Sequence, residues 1–164
     1  MDMLRQGDSE GLEHMVVETP AAVRFLQGRL SDPDPEIRNR AAVAHGAAAA
    51  AHPEHGRELL RRALWALNDE SATNGGPMLP AIGEIGRRAP DLVAPFIGPM
   101  TAYLWDDGLR PGILEALCSI ASTAPELIDE VRDRLLVFAD TNQLGEQASI
   151  DRLLAVNREI VDGE

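Results

Sequence analysis

"HGAAAAAHPEHGRELLRRALWALND", residues 45–69, holds the pattern on which the fold turns: an alanine run, an X-Pro step, an apolar helical segment, then an aspartate. Alanine is the best helix former. Proline disfavours the α conformation in the residue before it and fits the first turn of a new helix. His52-Pro53 therefore ends one helix and starts the next. Aspartate accepts hydrogen bonds from free N–H groups in turns and at helix starts. Asp69 accordingly marks the longer link that follows.

The pattern recurs. X-Pro steps stand at Thr19-Pro20, His52-Pro53, Ala89-Pro90 and Ala124-Pro125, spaced by 33, 37 and 35 residues. Aspartates lie between or beyond them at Asp32, Asp69, Asp106 and Asp140, spaced by 37, 37 and 34 residues. A period in this range is the signature of stacked repeats. The unit reads as helix, short proline turn, helix, acidic loop. Apolar stripes at helical spacing support it. They are Leu92, Val93, Phe96, Ile97, Met100, Tyr103 and Leu104; then Ile113, Leu114, Leu117, Ile120 and Ala121; then Leu127, Ile128, Val131, Leu135 and Phe138. The last stripe is expected to lie on one helix within "PELIDEVRDRLLVF". Pro95 and Pro99 should bend or delay theirs. The stretch Glu146 to Ile160, with Ile150, Leu153, Leu154 and Val156, reads as a closing helix with a charged outer face.

Composition agrees. With 45% hydrophobic and only 4% aromatic residues, 164 residues suit one alanine-rich helical domain with a real core. The expected fold is all-α, an α-solenoid of about four helical hairpins with a C-terminal capping helix. The repeats run over 8–31, 32–68, 69–105 and 106–139, and the cap over 140–161. Fifteen basic and 27 acidic residues leave a net charge of −12, which argues against nucleic acid and anionic membranes as partners. A basic protein surface would be attracted. Cys118 stands alone, so no internal disulfide forms. The start, "MDMLRQGDSE", does not read as a signal peptide, and no apolar run reaches the roughly 20 residues of a membrane helix. The expected location is the cytoplasm.

"DPDPEIRNRAAVAHG", Asp32 to Gly46, resembles the first helix of the HEAT-like repeats of phycobilisome lyases and many other proteins, and "PAIGEIGRRAPDLV", Pro80 to Val93, resembles the same stretch one repeat later. "WALNDES" is similar to a Trp-x-Leu-Asn-Asp-Glu-Ser stretch in small HEAT-repeat proteins of anaerobic bacteria, sulfate reducers among them. Trp65, Leu67, Asn68, Asp69, Glu70 and Ser71 match, as do Gly83, Glu84 and Ile85; the turn Ala72 to Gly76 departs from that pattern. The resemblance implies a fold and says little about activity, because such repeats serve enzymes, adaptors and scaffolds alike.

Candidate sites are few. Trp65 and Leu67 are expected to close their helix in the core, with Asn68, Asp69 and Ser71 satisfying backbone donors in the turn. The alternative is a binding edge made by Trp65, Asn68, Asp69, Glu70 and Ser71, extended by Asp106 and Asp107 of "YLWDDG" one repeat on. His52 and His55 form only half a metal site, and no metal or other cofactor is expected. His45 takes the position of Ile85 in the next repeat and should be a neutral core histidine with a hydrogen-bond partner. Cys118 lies on an apolar helix with no nearby charge in sequence, so an inert thiol is expected. Arg61-Arg62, Arg87-Arg88 and Arg132 with Arg134 are mixed with acids, as solvated faces are. No nucleophile motif appears. The leading reading is a non-enzymatic protein-binding scaffold whose partner carries a basic patch. The alternatives are a lyase-like accessory factor that handles a cofactor of a partner enzyme, and a structural subunit stable only in its complex.

Overall fold

A computed structural model describes residues 2–68, 75–141 and 147–161, and side chains within 3–68, 75–139 and 148–155. Among these residues every regular element is helical. The α-helices are α1 (Asp2–Gln6), α2 (Ser9–Glu18), α3 (Val23–Gln27), α4 (Pro35–Ala51), α5 (Pro53–Leu67), α6 (Leu79–Arg88), α7 (Pro90–Thr101), α8 (Arg110–Ala121), α9 (Glu126–Asp129), α10 (Arg132–Thr141) and α11 (Gln147–Val161). Short 3₁₀ turns occupy Pro20–Ala22, Gly28–Ser31 and Gly76–Met78.

The X-Pro steps do what their chemistry requires. Thr19, His52 and Ala89 cap the ends of α2, α4 and α6 with φ/ψ of −130/78, −134/81 and −145/68. These lie outside the α region, where the following proline ring forces them. Pro53 and Pro90 then open α5 and α7 at a position whose N–H would be free in any case. Pro125 plays the same part before α9. Asp34 caps α4 by accepting from the Glu36 N–H at 2.9 Å. Asp32 accepts from the Asp34 N–H at 3.1 Å and pairs with Arg29 at 3.2 Å, and its carboxyl is held below the usual carboxylate range, chiefly by that backbone bond.

Three expectations need correction. Asp140 falls inside α10 rather than in a link. "PELIDEVRDRLLVF" is not one helix but two, α9 and α10, separated at Glu130 and Val131. The Val131 N–H bonds Ile128 three residues back at 3.1 Å, so the chain tightens there into a 3₁₀-like turn. Conversely, α7 starts at Pro90 and runs through Pro95 and Pro99, so these prolines do not delay it. Its last turn is tied from outside. Arg134 of α10 donates to the Gly98 carbonyl at 2.7 Å and to Thr101 Oγ1 at 2.6 Å, and Thr101 donates to Gly98 at 2.9 Å.

Two series of helices follow from the packing. In the first, α2 packs on α4, α4 on α6, α6 on α8 and α8 on α11. In the second, α5 packs on α7 and α7 on α9, while α4 meets α5 and α6 meets α7 across the proline turns. The main core joins Leu60, Leu67, Ile85, Ile97, Leu117 and Phe138, and a smaller cluster joins Leu12, Val16 and Leu26 to Ala44 and Ala48. Side chains also stitch successive units. His52 Nε2 donates to the Val17 carbonyl at 2.7 Å, Arg62 donates to Gln27 at 3.4 Å and Tyr103 donates to Asn68 at 3.1 Å. Each of these links spans 35 residues, and the Arg134–Gly98 bond spans 36. That separation is the sequence period.

The first series is held close by small residues. A methyl group on Gly46 of α4 would stand 2.8 Å from the Glu84 carbonyl oxygen of α6, and one on Gly83 would stand 3.0 Å from Ala116 Cα of α8. A Cβ at Gly98 of α7 would meet nothing within 4 Å. Gly→Ala normally stabilises a helix interior by about 0.5–1 kcal/mol. Gly98→Ala should therefore raise the free energy of unfolding by about that amount. Gly46→Ala should instead lower it by about 1–3 kcal/mol, because backbone must move. Urea denaturation followed by circular dichroism measures both.

Candidate functional site

Of the residues read as a binding edge, Trp65, Asn68, Asp106 and Asp107 lie within the described structure, while Asp69, Glu70 and Ser71 lie outside it. Trp65 is not in the core. Its side chain is 77% exposed on the last turns of α5. The buried stripe of that helix is Leu59, Leu60, Ala63 and Leu67, and helical periodicity turns Trp65 to the opposite side, with exposed Arg61 and Arg62. Asn68 caps the helix and accepts from Tyr103.

Trp105 stands one repeat on, after α7, and is 60% exposed. Its ring meets Phe138 edge to face at 5.2 Å. Phe138 also receives the Arg110 guanidinium, 5.0 Å from its ring centroid. Arg110 is nearly buried. It donates to the Leu104 carbonyl at 2.8 Å and pairs with Asp107. Asp106 Oδ1 accepts from the N–H groups of Gly108 at 2.8 Å and Leu109 at 3.1 Å. The two aspartates are thus exposed, yet both are engaged in shaping the entry to α8. Asp106→Ala should lower stability by about 1 kcal/mol, the usual net worth of a side-chain hydrogen bond to the backbone of a turn. Chemical denaturation of the variant checks this.

Histidine roles differ sharply by position. His52 is spent on Val17, and its ring lies edge-on to His55 at 6.0 Å. Among the described residues no group of three or more His, Cys, Asp or Glu side chains is placed to hold a metal ion. His45 is buried, only 3% exposed, as its position in the repeat implies. The expected hydrogen-bond partner is not found among the described residues: Nε2 is buried without one there. Leaving such an atom unpaired costs about 1–3 kcal/mol. His45 lines a cavity of about 490 Å³ that Val23, Leu59, Arg24, His55, Glu58 and Arg62 also line.

Burial lowers the pKa of His45 from 6.5 to about 4. The ionisable groups on the same cavity are Arg24 from α3 and His55, Glu58 and Arg62 from α5. Between pH 6.5 and 4 the unfolded chain takes up a proton at this residue and the folded chain does not. Folding is therefore weakened as pH falls through that window. Each tenfold difference in proton affinity is worth about 1.4 kcal/mol, so the total loss reaches about 3 kcal/mol by pH 4. Other carboxylates titrate over the same range. Urea titrations of wild type against His45→Leu should isolate the effect: the difference in stability between the two chains changes by that amount from pH 7 to pH 4.

Cys118 is half-buried, and its thiol donates weakly to the Ser149 carbonyl at 3.7 Å. Burial pushes the thiol up, against the pull of Arg152 from α11. That arginine is 34 residues away in the chain, which is why local sequence shows no charge near the thiol. The arginine clusters mostly pair within their helices or with a neighbour: Arg62 with Glu58 at 2.7 Å, Arg87 with Glu84 at 2.7 Å and Arg88 with Glu13 at 2.9 Å. No described helix is long and apolar enough to cross a membrane. Comparison with known proteins finds no family model, no curated protein and no solved structure that matches the chain.

Proposed function

We propose that the chain is a HEAT-like α-solenoid that acts as a non-enzymatic protein-binding module. Support for the architecture comes from the two helix series and from four side-chain links that span 35 or 36 residues, the period of the proline steps. The observation that carries the binding function is the exposure of both indole rings. Trp65 is 77% and Trp105 is 60% exposed, at the ends of successive helices of the second series. Tryptophan is the side chain most enriched where binding energy concentrates, and it has much to gain from being covered. Phe25 of α3, 70% exposed, is a further exposed aromatic group.

The surrounding charge defines the partner. With a net charge of −12 and Asp106 and Asp107 exposed next to Trp105, the surface favours a protein whose contact patch combines apolar residues with lysine or arginine. The charges chiefly guide encounter and orientation, and the indoles supply affinity. In this reading Asn68 and Asp106 shape the edge, and Trp65 and Trp105 make the contact.

The test is affinity capture from native lysate with quantitative mass spectrometry, comparing wild type with a Trp65→Ala/Trp105→Ala double variant. Both substitutions remove exposed side chains, and matching circular dichroism spectra establish that the fold survives. The expected outcome is one protein or complex enriched by wild type, depleted at least about tenfold with the double variant, and released by raised salt. Equal recovery by both chains would sink the reading.

A further inference from the structure

The cavity beside His45 has the makings of a small-molecule site, separate from the tryptophan edge. It lies among α3, α4 and α5, and its volume of about 490 Å³ falls within the range of about 300–1,000 Å³ usual for ligand pockets. Its walls differ in chemistry from end to end. Val23 and Leu59 are buried and apolar, and Pro20 and Ala21 continue that surface outward. Of its polar lining, Arg24 and Arg62 are exposed and His45 is buried.

Each polar group on the cavity carries a requirement. Arg62 is occupied by Glu58 at 2.7 Å. Arg24 donates Nε to the Ala21 carbonyl at 3.1 Å and lies 5.7 Å from the Phe25 ring, with no carboxylate paired to it among the described residues. In a chain so rich in acids, an arginine without a carboxylate at the edge of an apolar cavity is suited to a ligand's carboxylate. Buried His45 is neutral, and its Nε2 has no partner among the described residues. That atom presents no surface to the cavity in the closed position of the ring; once the ring turns outward, either tautomer would be satisfied by a hydroxyl, which both donates and accepts.

We propose that this cavity binds a small organic acid with an apolar body and a hydroxyl group. The carboxylate bonds Arg24, with Arg62 adding positive potential. The body lies against Val23 and Leu59, and the hydroxyl bonds the imidazole of His45 as that ring turns toward the cavity. A cationic ligand with the same body is excluded by the arginines, and a purely apolar one leaves both polar ends unmatched.

Calorimetric titration of the intact chain tests this with para-hydroxybenzoate, para-hydroxyphenylacetate and para-hydroxyphenylpropionate, which place the two polar ends at increasing separation. Each is run beside its analogue without the hydroxyl, and tyramine serves as the cationic counterpart. At least one hydroxy acid should bind, more tightly than its deshydroxy analogue and with tyramine silent. Arg24→Gln should weaken it about tenfold, and Ala21→Trp, at an exposed wall position, should block it. The advantage of the hydroxyl should vanish in His45→Leu. No binding by any of the three acids overturns the proposal, as does tyramine binding equally well. So does affinity unchanged by Arg24→Gln and Ala21→Trp, two exposed substitutions that spare the core. A hydroxyl that adds nothing, or adds as much in His45→Leu, removes His45 from the site and overturns the assignment.

Discussion

The rest of the structure depends on how closely α4, α6 and α8 approach one another. Gly46 lies against the Glu84 backbone, and Gly83 lies against Ala116. Ala41, Ala42, Ala44, Ala48 and Ala49 of α4 are almost fully buried around the same helix. At such spacing backbone packs on backbone, and dispersion contacts replace the large side chains that the composition lacks. The aromatic poverty of the chain is thus the condition of its packing. Larger apolar residues, Ile85 of α6 and Leu117 of α8 with Leu60, Ile97 and Phe138, fill the remaining core.

Much of this was legible. Proline and aspartate act on their immediate neighbours, so the steps at Thr19, His52 and Ala89 and the turns at Asp32 and Asp106 could be placed without knowing any tertiary contact. Apolar stripes likewise located the buried faces of α7 and α8. What escaped depended on partners distant in the chain. Nothing local distinguishes Pro95 and Pro99 from helix breakers, because the anchor of that turn, Arg134, sits one period later. The break between α9 and α10 has neither proline nor glycine to mark it. Asp140 matches the period but sits in a helix, since spacing alone carries no hydrogen-bonding partner.

The candidate site was legible as a location and not as a set of roles. Trp65 and Trp105 both lie exposed near helix ends, yet the exposure of Trp65 follows only from counting around α5 against Leu60, Ala63 and Leu67. Asp106 looked like a ligand-binding acid as much as a cap, and its bonds to Gly108 and Leu109 assign it structural work. His45 was placed in the core by its position in the repeat. Its missing partner is a property of the space that α3 and α5 leave around it, which no reading of α4 alone contains.

The links between Val17 and His52, Gln27 and Arg62, Asn68 and Tyr103, and Gly98 and Arg134 have a consequence for how the chain reaches its fold. Each closes a loop of similar, modest length, and loop-closure entropy rises only with the logarithm of that length. No link among them asks the two ends of the chain to meet. The search is therefore divided into nearly equal steps of modest loop length.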